Sequence, residues 1–244
     1  MTEAEWLASA DPAVLQMQNL PFGVHDLFEH LHVMPKLSRT KRGKRKIRLF
    51  ACAGCRRWWP RLPEQTRQAV ELAEQFADGQ ATRQQRFDGF RSLYRPPTGR
   101  HRDFADLGIS VLDAHDWYAA FSVSSHSYGL VCEWVRESVA ARITIANDVY
   151  GEEIFQQIRL LHDIFGNPFR PARIDPAWLA WNHGTVRLLA EAIYAERAFE
   201  RMPILADALE EAGCGDADLL HHCRQSDAVH VRGCWVVDLL TGRA

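Results

Sequence analysis

The stretch Pro63-Glu-Gln-Thr-Arg-Gln-Ala-Val-Glu-Leu-Ala-Glu-Gln-Phe-Ala-Asp-Gly79 decides the fold class. Its apolar residues Ala69, Val70, Ala73, Phe76 and Ala77 recur at helical spacing and share one face of an amphipathic helix. Gly79 stands where a left-handed residue commonly closes such a helix. The same grammar recurs on both sides. Upstream, Thr2 and Glu5 form a capping-box pattern, and Ile47 to Trp59 reads as a mostly buried helix running up to Pro60. Downstream, Ile154, Phe155, Ile158, Leu161, Ile164 and Phe165 mark a helix that Gly166-Asn-Pro168 stops. Asp175-Pro176 is an N-cap and first-turn pair, Thr185 to Phe199 is amphipathic, and Pro203 to Ala212 ends at Gly213. Asp216 to Arg224 adds another helix.

Other segments read less cleanly. Val14, Leu15, Leu27, Phe28 and Leu31 suggest a helical stretch broken near Pro21 and Gly23. Gln80 to Asp106, with Pro96-Pro97 and many arginines, reads as a loop. Ile143 and Ile145 are β-branched and allow a short strand, and Gly233 to Leu240 fits either state. Eight or nine helices without strand–helix alternation predict an all-α, multi-helix assembly with at most a minor strand. Residues 1–244 are expected to form a single helical domain, with a soft boundary in the 80–106 segment.

Composition narrows the function classes. An apolar fraction of 47% is that of a chain able to build its own core, so no disulfide or metal is required for stability. A net charge of −2 argues against a surface given over to nucleic acid. The first ten residues lack a basic-then-apolar signal, and no apolar run approaches the ~18 residues of a membrane span. The six cysteines do not form a secreted framework, so reduced thiols and a cytoplasmic location, without membrane contact, are expected.

Met1-Thr-Glu-Ala-Glu-Trp-Leu-Ala8, Ile47-Arg-Leu-Phe-Ala-Cys-Ala-Gly-Cys-Arg-Arg57 and Asp163-Ile-Phe-Gly-Asn-Pro-Phe-Arg-Pro171 follow one another along the chain. They are joined by Asp175-Pro-Ala-Trp-Leu179, Pro203-Ile-Leu-Ala-Asp-Ala-Leu-Glu-Glu-Ala-Gly-Cys214 and His230-Val-Arg-Gly-Cys-Trp-Val-Val-Asp238. With these words in this order, over roughly half its length, the sequence resembles an uncharacterised bacterial family of helical paralogues. The resemblance implies a helical fold and carries over no activity, cofactor or site residue.

Three sets of residues offer chemistry. Cys52 and Cys55, spaced C-x-x-C, together with Cys214, His222, Cys223, His230 and Cys234, supply the thiolates and imidazoles that zinc takes four at a time. Burial of these cysteines as small apolar residues is the competing expectation. The run Arg39, Lys41, Arg42, Lys44, Arg45, Lys46 and Arg48 can contact phosphates, with Trp58 and Trp59 nearby for stacking. Its plainer reading is a solvated basic loop ahead of a helix whose tryptophans lie in the core. Arg170 and Trp178, flanking the Pro-rich corner, form a third candidate for recognition, or simply fix an interhelix angle. His115-Asp116 and His162-Asp163 look like the dyads of metal phosphohydrolases but read as chance pairs, with His162 facing solvent. No Gly-flanked nucleophile and no phosphate-binding Gly loop occurs. The sequence alone therefore favours a non-enzymatic helical module that binds another macromolecule, most plausibly a protein. A nucleic-acid-associated regulator and a metal-binding protein or metal-dependent enzyme are the alternatives, with zinc the candidate ion and no cofactor required.

Overall fold

The computed structural model describes residues 2–11, 39–93, 102–116, 118–126, 143–225 and 228–243. It is all-α, and no strand occurs among the described residues. Two compact units are present, Met1–Ile158 and Arg159–Ala244. The helical stretch expected around Val14 to Leu31 lies outside the described residues.

The first unit contains α1 (Glu3–Ser9), α2 (Lys41–Arg56), α3 (Glu64–Ala77), α4 (Arg83–Leu93) and α5 (Arg102–Val111), with further helix over 118–126. It also takes in most of α6 (Ile143–Phe165), inside which the division between units falls. Ile143 begins this helix and starts no strand, because the apolar spacing that follows favours a continuous helical face over β-branched preference. Of the segment expected to be a loop, Arg83–Leu93 is helix as well. Thr82 shows why: its hydroxyl accepts from the Gln85 backbone N–H, and Gln85 in turn accepts from the Thr82 N–H, a reciprocal capping arrangement.

The helix quoted at the outset, α3, is the hub, with α2, α4 and α5 packed around it. Val70 and Ala73 on its apolar face are fully buried, and so are Phe50 and Cys52 of α2 and Leu107 and Val111 of α5. Helix α2 begins inside the basic run. Thr40 caps it, its side chain accepting from the Gly43 N–H at 3.0 Å, and from Ile47 to Cys55 every residue is buried. Among them is Arg48. Its guanidinium donates to the carbonyls of Val111 and Asp113 and to the Asp116 carboxylate, at 2.5, 2.8 and 2.7 Å. A buried cation with this many acceptors is satisfied, so it clamps the turn after α5 onto α2. A second clamp joins α2 to α3, where Arg56 grips Glu74 through two bonds of 2.6 and 2.9 Å.

The second unit runs from the last turns of α6 through α7 (Pro176–Ala180), α8 (Thr185–Glu196), α9 (Met202–Glu211), α10 (Ala217–Arg224) and α11 (Trp235–Leu240). Asp175 and Asp216 cap α7 and α10 as their positions predict. Val186, Ile193, Met202, Leu205, Leu209, Leu219, Val237 and Leu240 form one buried cluster drawn from α8, α9, α10 and α11. Each such aliphatic side chain contributes about 1.5–3 kcal/mol by burial, so this unit has a core of its own. Gly166, at φ +65°, ends α6 in the left-handed region. An added Cβ there would meet the Trp235 ring at 2.9 Å, so Gly166 also permits the close approach of α11 to the end of α6.

Candidate metal centre

In the second unit, four potential donor atoms converge where the end of α6, the last turn of α10 and the residues before α11 meet. They are Asp163 Oδ1, His222 Nε2, His230 Nδ1 and Cys234 Sγ, all within 4.8 Å of one another. Asp163 Oδ1 lies 2.7 Å from His230 Nδ1 and 3.2 Å from His222 Nε2. Cys234 Sγ lies 3.3 Å from His222 Nε2 and 4.0 Å from His230 Nδ1. A tetrahedral zinc ion with bonds of ~2.0–2.1 Å to nitrogen or oxygen and ~2.3 Å to sulfur sets its donors about 3.3–3.6 Å apart. The four measured edges straddle that range.

Each donor is held by ordinary local structure. Asp163 sits three residues after Leu160 on α6, on the buried side of the helix, and accepts the Val231 N–H at 3.0 Å through its second oxygen. His222 and Cys223 are neighbours on α10, and successive helical positions point in different directions. His222 therefore reaches the cluster while Cys223 enters the apolar core. Cys234 is fully buried immediately before α11. The rings of His222 and His230 meet edge-on with centroids 4.8 Å apart, and Trp235 lies 5.1 Å from His222. Among the described residues the buried Nε2 of His230 has no hydrogen-bond partner, so the polar contacts of this ring with them are made through Nδ1, on the side of the cluster.

The electrostatics suit a cation. Burial works against the charge on Asp163, but hydrogen bonds from His222 and His230 outweigh it and bring its pKa down to about 2. Burial lowers the pKa of His222 despite the attraction of Asp163, which biases its imidazole toward the neutral form, and ligation through Nε2 would require the proton facing Asp163 to sit on Nδ1 instead. Burial first, and then the Asp163 charge, push the Cys234 thiol well above its ordinary range. A divalent ion reverses that last preference, because it stabilises the thiolate directly. One thiolate and one carboxylate then neutralise the two positive charges of the ion, which removes the net charge from a buried site.

The structure distributes the sequence-predicted residues unevenly. His222, His230 and Cys234 come together. Cys214 and Cys223 belong to the hydrophobic core of the second unit, with burial pushing the Cys223 thiol up to about 12. Cys52 and Cys55 are buried on α2 inside the first unit and are absent from the cluster. Asp163, which the sequence reading passes over as a chance partner of His162, is the central donor. Its signal is a carboxylate on the buried stripe of an apolar helix. His162 does not face open solvent either: it is half-buried, and burial followed by the neighbouring His222 charge pushes its pKa down to about 4.

The basic run is helix from Lys41 onward. Arg39, Lys41, Lys44, Arg45 and Arg48 line a surface pocket of the first unit, whereas Arg42 and Lys46 do not. Trp58 and Trp59 are half-buried and not in the core, with the Arg56 guanidinium 4.1 Å above the Trp59 ring. Arg170 is exposed, Trp178 packs partly buried on the second unit's core, and Asn167 shapes the corner by accepting from the Phe169 and Arg170 N–H groups. His115 is exposed and Asp116 is engaged by Arg48, so that pair forms no site. No described helix is long and apolar enough to cross a membrane. Comparison with protein-family models, with curated proteins and with solved structures finds no match to this chain.

Proposed function

We propose that this is a metal-binding protein whose second unit holds one zinc ion between Asp163, His222, His230 and Cys234. The observation that carries the reading is the convergence of four donors of the right kinds within 4.8 Å of one another. Two imidazoles with one thiolate and one carboxylate match the borderline character of zinc, and cobalt(II) fits the same set as a spectroscopic substitute. Four protein donors leave no coordination position for a substrate, which favours a structural ion over a catalytic one. The ion would tie α6, α10 and the lead-in to α11 together. The protein-binding role that the sequence alone favours rests on absent motifs and gains no named residue, so metal binding stands first.

The test is metal analysis of protein purified without a metal-affinity step, together with titration of the stripped protein by zinc and cobalt(II). One equivalent of zinc is expected, with a cobalt–thiolate charge-transfer band that Cys234→Ser removes. Substoichiometric zinc, or a thiolate band that survives Cys234→Ser, would overturn the reading.

A further inference from the structure

A second site lies in the first unit and uses different chemistry. Lys41, Lys44, Arg45 and Arg48 stand at positions i, i+3, i+4 and i+7 of α2, which places them along one face. Arg83 and Arg86 stand at i and i+3 of α4. The two cationic stripes, with Arg39 just ahead of α2, line one concave pocket of about 800 Å³ whose remaining wall includes Phe76, Ala77 and Gly79 at the end of α3. That volume falls in the range of small-molecule sites, roughly 300–1,000 Å³.

Among the described residues, seven cations line this pocket and a single carboxylate, Asp116, joins them. Asp116 is bound to Arg48, and Arg45 has its own partner in Asp78 at 3.0 Å. Arg39, Lys41, Lys44 and Arg83 meet no carboxylate among the described residues. The guanidinium carbons of Arg48 and Arg86 both lie over the Phe76 ring, at 5.4 and 5.2 Å, so like charges are held close together. Among the described residues Arg86 Nε is buried with no acceptor, while another nitrogen of the same guanidinium donates to the Leu112 carbonyl. The first turn of α2 carries no acidic residue, and its cations add to the positive end of the helix dipole. The closeness of Arg48 and Arg86 is unfavourable in itself, and a compact polyanion in the pocket would offset that repulsion.

We propose that this pocket binds a small molecule bearing several phosphate groups. Concavity favours such a ligand over a nucleic-acid strand, because the cations surround a hollow instead of following a line. Arg45 and Arg48 are held by protein carboxylates and give the pocket its shape. Lys41, Lys44, Arg83 and Arg39 are left to contact phosphate oxygens as charge-assisted donors.

Calorimetric titration of the 244-residue chain with sodium tripolyphosphate tests this. One site per chain is expected, weakening as salt is added. The combined variant Lys41→Ser, Lys44→Ser, Arg83→Ser should lose about a hundredfold in affinity, from three exposed charge-assisted contacts of roughly fivefold each. Circular dichroism checks that its helix content is unchanged. Arg42→Ser removes a cation of the same helix turn that lies outside the pocket, and it should change affinity by less than about twofold if pocket contacts and not net charge are responsible. Parallel titrations with inorganic phosphate, ATP and inositol hexakisphosphate identify which source of phosphate groups binds tightest. No heat with any polyphosphate, or a loss of about fivefold or more in Arg42→Ser, would overturn the proposal. So would tight binding of a single-stranded oligonucleotide with none of tripolyphosphate.

Discussion

Replacing Gly166 by alanine tests how the metal cluster is supported, and the structure supplies its own control. Gly166 lies at φ +65° and Gly213 at φ +89°, so alanine at either position enters the left-handed region at a cost of about 1–2 kcal/mol. The surroundings differ. At Gly213 an added Cβ meets nothing within 4 Å, whereas at Gly166 it lies 2.9, 3.1 and 3.2 Å from three atoms of the Trp235 indole. Ordinary carbon contacts begin near 3.5 Å, so the indole must withdraw by roughly half an ångström. Overpacking of this kind costs about 1–3 kcal/mol. Gly213→Ala should therefore lose about 1–2 kcal/mol in urea denaturation, and Gly166→Ala about 2–5 kcal/mol. The Trp235 ring lies 5.1 Å from that of His222 and follows Cys234 directly in the chain. Zinc affinity should accordingly fall in Gly166→Ala and stay unchanged in Gly213→Ala. Equal destabilisation of the two variants would refute the overpacking, and unchanged zinc affinity in Gly166→Ala would refute the idea that Trp235 braces the cluster.

Three further outcomes are expected. In metal-free protein, His162 has its pKa lowered to about 4 from an ordinary 6.5. The folded state therefore binds fewer protons than the unfolded one between these values, and stability should fall by up to about 3 kcal/mol as pH drops from 6.5 to 4. Denaturation series across that window should be flatter in His162→Gln, and an unchanged slope would remove His162 as the cause. Arg48→Met should cost about 3–5 kcal/mol, since it strands the Val111 and Asp113 carbonyls and the Asp116 carboxylate. By contrast Arg201→Met, which breaks only the exposed pair with Glu196, should cost less than about 1 kcal/mol by the same assay. Finally, Cys52, Cys55, Cys214, Cys223 and Cys234 are all buried, and burial raises the pKa of each. A thiol reagent at pH 8 should leave all five unmodified in the native state and reach them on denaturation, as peptide mass mapping would record.

The helices were legible wherever an apolar face and a cap coincided. Val70, Ala73 and Gly79 marked α3, and Asp175 and Asp216 marked the starts of α7 and α10. The Gln80–Asp106 segment misled because its arginines and Pro96-Pro97 outweighed a Thr82–Gln85 cap that is visible only as a pair. The basic run misled for a related reason: Thr40 is a modest cap beside seven charges, yet the burial of Ile47, Leu49 and Phe50 extends the helix back through them. For the metal cluster, residue type identified three donors of the second unit and spacing could not supply the fourth. Asp163 is 67 positions from His230, and only tertiary packing brings them together. The C-x-x-C pair attracted attention by its spacing, although on a helix that spacing is what two core residues on one face also show.

The uneven spacing of the four donors along the chain separates two quantities that are easily equated. His222, His230 and Cys234 span only twelve positions, so an unfolded chain can already wrap them around an ion. Folding adds the carboxylate of Asp163 and the exclusion of water. Zinc bound at this site would stabilise the native state only by the difference between its grip on four fixed donors and on three loose ones. Metal affinity measured on the folded protein will thus exceed the rise in unfolding free energy that the metal produces. The shortfall reports how much of the site survives in the denatured ensemble, and Asp163→Asn should shrink the stabilisation more than it shrinks the residual affinity of the denatured chain.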